Sequence, residues 1–149
     1  MDRAEDLLSR EPGYNRVMPF LVKEEPEHYG FDAFVKDRGT TWSGVRNPLA
    51  QKHLRAIKKG DLVFYYHTGG EKAIVGIAKA KTSAYPDPED RTGKAHVVDL
   101  IPVKKLARPV TLAEIKADKR FADFALTYMP RLSVMPVSEE EWERILAKL

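Results

Sequence analysis

The chain contains no cysteine, which excludes disulfides, thiolate nucleophiles and thiolate-bound metals and points to an intracellular, cytoplasmic setting. It has only four histidines. None of His28, His53, His67 and His96 stands at a metal-ligand spacing from another, so no metal is expected. No apolar run approaches the ~20 residues that cross a bilayer. The first six residues are acidic early and lack the apolar segment of a signal peptide, so no membrane association is expected. Gly69-Gly70-Glu71-Lys72 has neither the spacing nor the following helix of a phosphate loop. Paired carboxylates for acid–base chemistry do not stand out, and no cofactor or catalytic residue is implied. The net charge of +3, with a pI near 9.0, is small for a protein that coats nucleic acid without selectivity, yet it permits nucleic-acid binding.

What is present suits one domain. Of 149 residues, 43% are hydrophobic, enough for one core, and 32% are charged. Residues 1–17 read as a mobile leader, broken by Glu11-Pro12-Gly13, and residues 18–149 as the domain. A first strand over 20–23 is stopped by Pro26, which cannot donate to a ladder. A short helix is expected over 29–35, with Asp32 as its cap. Asn47-Pro48 is a helix start, because Asn caps well and Pro at the first position gives up an amide that would lack a partner anyway. Leu49, His53, Leu54 and Ile57 share one face at helical spacing, and Gly60 is the expected C-cap.

Residues 61–67 and 73–81 form a hairpin about Gly69-Gly70, and Gly76 marks a bulge or a close approach of another group. A strand over 96–105 contains Pro102, which fits an edge or bulge position. Thr111-Leu112-Ala113-Glu114 and Ser138-Glu139-Glu140-Glu141 are capping boxes that start two helices. Between them, 120–129 is ambiguous and 131–135 reads as a short strand. Trp142, Ile145, Leu146 and Leu149 form the apolar face of the last helix, so Trp142 is core. Five or six strands and about four short helices make an α+β fold, a curved β-barrel with flanking helices.

One stretch stands apart. Thr41-Trp42-Ser43-Gly44-Val45-Arg46-Asn47-Pro48 combines a flat indole, a hydroxyl, a flexible backbone, a guanidinium and an amide within eight positions. Those groups can hold a planar polar ligand such as a nucleobase. The same residues also suit a packed Trp, a turn Gly and a helix cap. Lys52, Arg55, Lys58 and Lys59 follow as a basic stripe, either a solvated face or a row of phosphate contacts.

Taken in order, Trp42-Ser43-Gly44-Val45-Arg46-Asn47, Phe64-Tyr65-Tyr66-His67, Ile74-Val75-Gly76-Ile77-Ala78, Ala84-Tyr85-Pro86-Asp87 and Arg131-Leu132-Ser133-Val134 resemble the EVE domain. That family is PUA-like and related to the YTH readers of methylated adenine. The resemblance runs from about Phe20 to the C-terminus. It implies a PUA-like barrel and non-enzymatic binding of a modified base in DNA or RNA, with the base drawn into a site at the barrel mouth. In that picture Trp42 is a stacking platform outside the core. Ser43 and the backbone of Val45 meet the base edge. Arg46, Asn47 and His67 form a polar wall, with Lys23, Glu24 and Tyr66 beside it; Tyr65 is the alternative to Tyr66. The strand Arg131-Leu132-Ser133 is the floor. Three positions depart from the family pattern. Glu24 stands where a Ser is common, Ala95 where an aromatic is common, and Pro48-Leu49 where Tyr-Gln is common. The competing readings are an enzyme using Ser43, His67 and Glu24 on a base or nucleotide, and a small protein-interaction module. The oligomeric state is not fixed by any residue, and a monomer is the simpler expectation.

Overall fold

The structure, a computed structural model, describes residues 18–149. The leader expected over 1–17 lies outside the described residues. The strands are β1 (Phe20–Glu24), β2 (Thr40–Trp42), β3 (Leu62–His67), β4 (Ala73–Ala80), β5 (Tyr85–Pro86), β6 (His96–Thr111) and β7 (Val134–Pro136). The α-helices are α1 (Pro26–Tyr29), α2 (Phe31–Asp37), α3 (Pro48–Arg55), α4 (Leu112–Ala117), α5 (Ala125–Tyr128) and α6 (Glu139–Leu146). No described helix is long and apolar enough to cross a membrane.

The sheet runs β2-β6-β4-β3-β1-β7, with β5 added to β6. Only β1 and β3 are parallel, from Phe20↔Val63 to Glu24↔His67. A parallel neighbour requires a long crossover, and α1, α2, β2 and α3 supply it. The result is a mixed, curled half-barrel with short helices, the PUA-like α+β fold expected. Helix α3 packs on both β6 and β7, near opposite ends of the strand order, and so lies across the open side of the curl.

Both faces of the central strands are covered. Every residue of β3 is buried, as in sheets flanked on two sides. On one face Phe64 stacks on Trp142 of α6, with ring centroids 3.8 Å apart, which places Trp142 in the core as expected. On the other face Phe31 of α2 lies against Gly76 of β4. A Cβ at Gly76 would overlap the Phe31 ring. The β4–β6 register also shifts between Ile74 and Gly76, so both readings of that glycine hold. Both capping boxes form, at Thr111 and Ser138.

Several boundaries differ from expectation. The helix expected over 29–35 is two helices, because Pro26 starts α1 early and Gly30 separates it from α2. Asp32 caps neither; its carboxylate accepts from the Lys105 ammonium at 2.8 Å. Helix α3 stops at Arg55 instead of running to Gly60. The buried Asp61 carboxylate accepts from the Lys58 amide at 2.8 Å, and the Gly60 amide donates to the Ala80 carbonyl at 2.8 Å. These bonds draw the chain onto the sheet before another helical turn can form. The buried face of α3 is Ala50, Gln51 and Leu54; Leu49 is exposed and His53 half-buried. Strand β6 continues sixteen residues to Thr111. Pro102 sits past the last β2 partner, Leu100, beside a register shift against β4, so its missing N–H removes no ladder bond on the β2 side. Arg131 and Leu132 precede β7, which begins at Val134.

Gly76→Ala is expected to destabilise the protein by about 1–3 kcal/mol, the usual range for overpacking a well-filled core. Combining it with Phe31→Leu, which vacates the overlapping ring, should recover part of that loss in a thermal melt. Equal melting of Gly76→Ala and wild type would contradict the close approach.

Candidate functional site

The Trp42 segment leaves the sheet at the end of β2, where Trp42 pairs with Val98 of β6. The preceding residue is anchored, because Thr41 Oγ1 donates to Asp99 at 2.8 Å, and the Tyr85 hydroxyl donates to the same oxygen at 2.7 Å. That hydrogen bond to Asp99 holds the Tyr85 phenol above its ordinary range. Asp99 thus ties β2 to β5, which carries Tyr85.

Trp42 is 6% exposed and belongs to the core cluster. The expectation of a platform outside the core is therefore corrected. Its indole meets the Tyr65 ring edge-on at 5.3 Å. Tyr65 in turn contacts Phe31 and Phe34 at 5.2 and 5.4 Å and the His67 ring at 5.7 Å. The Tyr65 hydroxyl donates to the Tyr29 carbonyl. Burial, reinforced by the Glu24 charge, pushes the Tyr65 phenol well above its ordinary range. It stays a neutral donor at any physiological pH.

His67 is buried and fully engaged. Its Nε2 accepts from the Phe31 amide at 3.0 Å, so the proton sits on Nδ1, which faces Glu71 Oε1 at 2.7 Å. Neither nitrogen is left for Ser43, and the Ser43–His67 pair of the enzyme reading does not form. Glu24 is also engaged, accepting from the Glu25 amide at 2.9 Å and meeting His28 Nδ1 at 3.2 Å.

The expected site residues fall into two groups. In the parallel register Val22 pairs with Tyr65 and Lys23 with Tyr66. Neighbours along a strand face opposite ways. Glu24, Tyr65 and His67 therefore share the Trp42 side, and Lys23 and Tyr66 the other. The Lys23 ammonium lies 5.6 Å from the Tyr66 ring centroid and donates to the Pro130 carbonyl at 3.2 Å, while its amide donates to the Ser133 carbonyl. Burial lowers the pKa of Lys23. Tyr65, not Tyr66, is thus the neighbour of Trp42. Arg131 is exposed and Leu132 is buried; both lie in the segment that Lys23 meets, outside a strand.

Beyond Trp42, Ser43, Arg46 and Asn47 are exposed and Val45 is half-buried. Gly44 has φ +77° with open space around it. Asn47 Oδ1 accepts from the Leu49 and Ala50 amides, both at 3.0 Å, so the cap forms and occupies that oxygen. Lys52, Lys58 and Lys59 are exposed, and Arg55 donates to the Lys94 carbonyl at 2.8 Å.

Sequence reasoning missed Gln51. It is 7% exposed and bonds both the Val45 carbonyl and the backbone of His96. The available signal was a polar residue one turn after the Asn47 cap and three before Leu54, on the buried face of α3.

Trp42→Ala is expected to cost about 3–5 kcal/mol, the range for emptying a buried Trp site, and Trp142→Ala a similar amount. Asn47→Ala should cost about 0.5–2 kcal/mol through the lost cap. Denaturant melts check all three, and a Trp42→Ala protein as stable as wild type would contradict its burial.

The EVE domain family model matches residues 19–148. Human thymocyte nuclear protein 1 is 30% identical over 162 residues, which span 86% of this chain and 72% of that protein. The NMR structure of Rpa0253 from Rhodopseudomonas palustris superposes with a TM-score of 0.83 at 47% identity, over 88% of this chain and 92% of the other. The crystal structure of human THYN1 protein in complex with 5-methylcytosine-containing DNA superposes with a TM-score of 0.76 at 28% identity, over 88% of this chain and 96% of the other. The chain belongs to the EVE domain family.

Proposed function

We propose that this protein binds DNA carrying a modified base and reads that base, without chemistry on it, through the 42–47 segment. The observation that carries this reading is the similarity, along nearly the whole chain, to a human protein whose structure is in complex with 5-methylcytosine DNA. The local chemistry agrees. Ser43, Val45 and Arg46 offer a hydroxyl, backbone groups and a guanidinium on an accessible loop. Trp42 is the rigid apolar wall beneath that loop, braced by Tyr65, and an added methyl on a base gains by leaving water beside such a wall. A base with weakened pairing is also cheaper to extrude. Asn47 acts through the helix it caps, and its amide NH2 remains available. Glu24 and His67 shape the Trp42 side through the bonds they make. Lys23, Tyr66, Arg131, Leu132 and Ser133 form a separate corner that contacts neighbouring backbone, not the base. Lys52, Arg55, Lys58 and Lys59 take phosphates.

The test is a titration with short DNA and RNA oligonucleotides containing cytosine or 5-methylcytosine. Tighter binding to the modified DNA is expected, and equal affinity for modified and unmodified DNA would overturn the reading. Neutralising Lys52 and Lys58 together should weaken binding to all sequences alike and flatten the salt dependence by roughly 0.7 per lost contact on single strands. An unchanged slope would assign that stripe to solvent.

A further inference from the structure

Gln51 is the buried polar side chain closest in the bonding network to the exposed loop, and its orientation is fixed by its neighbours. Nε2 donates to the Val45 carbonyl at 2.7 Å and to the His96 carbonyl at 3.1 Å, while Oε1 accepts from the His96 amide at 2.9 Å. Flipping the amide would set an oxygen against two carbonyls and the NH2 against an N–H, so only one assignment satisfies all three bonds. The side chain therefore clamps three pieces of chain: the loop at Val45, helix α3 that carries it, and the start of β6.

The clamp has a directional consequence. A trans peptide points its C=O and N–H to opposite sides. With the Val45 carbonyl held inward by Gln51, the Arg46 amide in the same plane is turned away from α3. Among the described residues, no amide from Ser43 to Asn47 donates a hydrogen bond. Backbone N–H groups without protein partners bind water until an acceptor replaces it. We propose that Gln51 is the positioning residue of the base-reading loop: it fixes the Val45–Arg46 peptide so that the Arg46 amide is a pre-aimed donor for an acceptor atom, a ring nitrogen or carbonyl oxygen, on the edge of the bound base. This rests on the function proposed above. It adds that recognition runs partly through backbone donors, whose aim depends on a residue that touches no ligand.

The experiment compares wild type, Gln51→Met and Gln51→Glu. Gln51→Met removes all three bonds at similar length. Gln51→Glu keeps an acceptor for the His96 amide and loses both donors, which provides a folded comparison where Gln51→Met is too unstable. Two-dimensional amide NMR of the free proteins reads the loop directly, with the Trp142 indole resonance as the control for the global fold. Displaced resonances for residues 43–47 around an unmoved Trp142 are expected, and unmoved loop resonances in both variants overturn the inference. Titration with a 5-methylcytosine oligonucleotide then reads function. Loss of roughly tenfold in affinity is expected, about one misaimed hydrogen bond, with an unchanged salt slope. Wild-type affinity in a variant whose loop has moved overturns the positioning role while leaving the proposed function intact. Failure of wild type itself to bind any modified oligonucleotide sinks the proposed function and this inference with it.

Discussion

The ring contacts around Tyr65, three of them edge-on and the Phe34 contact stacked, form the buried centre on which the Trp42 side of the sheet depends. Four aromatic rings meet it: Phe31 and Phe34 from α2, Trp42 from the end of β2, and His67 from its own strand. Aromatic pairs in this geometry add about 0.5–1.5 kcal/mol each beyond the area they bury. They also fix relative orientation, because a ring edge seeks a ring face. Gly76 makes the arrangement possible, since only a residue without a side chain lets Phe31 lie so close to the sheet. The hydroxyl of Tyr65 is satisfied by the Tyr29 carbonyl and the Phe31 amide by His67, so the cluster leaves these polar groups paired. An unpaired group there would cost about 1–3 kcal/mol.

From this buried centre the proposed binding surface is reached in one step. Trp42 is buried at the end of β2, and Ser43, the next residue, is exposed. The loop that follows is attached at both ends and at its middle. Asp99 holds Thr41, Gln51 holds Val45, and Asn47 caps α3. A loop restrained in this way presents its polar groups with little entropy left to lose on binding. The second group, Lys23 with Tyr66 and the Pro130 carbonyl, is attached to the opposite side of the same two strands. The chain thus carries two chemically different surfaces on one pair of strands. Strand parity separates these two groups of side chains; that the base lies on the Trp42 side is the function proposed above.

Local signals in the sequence were reliable where the physics is local. Asn47-Pro48 and the two capping boxes name their helix starts, since the capping atom lies within three residues of the amide it satisfies. Gly76 was legible for a different reason: a glycine inside a strand marks a bulge or a close approach, although the approaching group, Phe31, lies 45 positions away and is not readable from the spacing. The family motifs carry the PUA-like fold and point to the 42–47 segment. Trp42 was misread as an outer platform because its burial comes from Tyr65, 23 positions away, and no spacing rule reports that contact. Tyr65 and Tyr66 stand as alternatives in the sequence because parity along a strand is readable but its absolute phase is not; the contact with Trp42 falls to Tyr65. Gln51 was invisible because its partners, Val45 and His96, converge only after β6 folds beside the loop. The end of α3 moved from Gly60 to Arg55 because Asp61 and Ala80 take up the intervening amides, a tertiary competition that overrides the C-cap signal.

The central claim is the proposal that a modified base is read on the Trp42 side of the sheet and not at the Lys23 corner. A crystal structure of this protein with a short 5-methylcytosine DNA duplex tests it most directly. The account predicts the modified base against Trp42 and the 43–47 loop, with only sugar or phosphate near Lys23 and Arg131. A base seated on Tyr66 beside Lys23, with the 43–47 loop facing solvent, would contradict it.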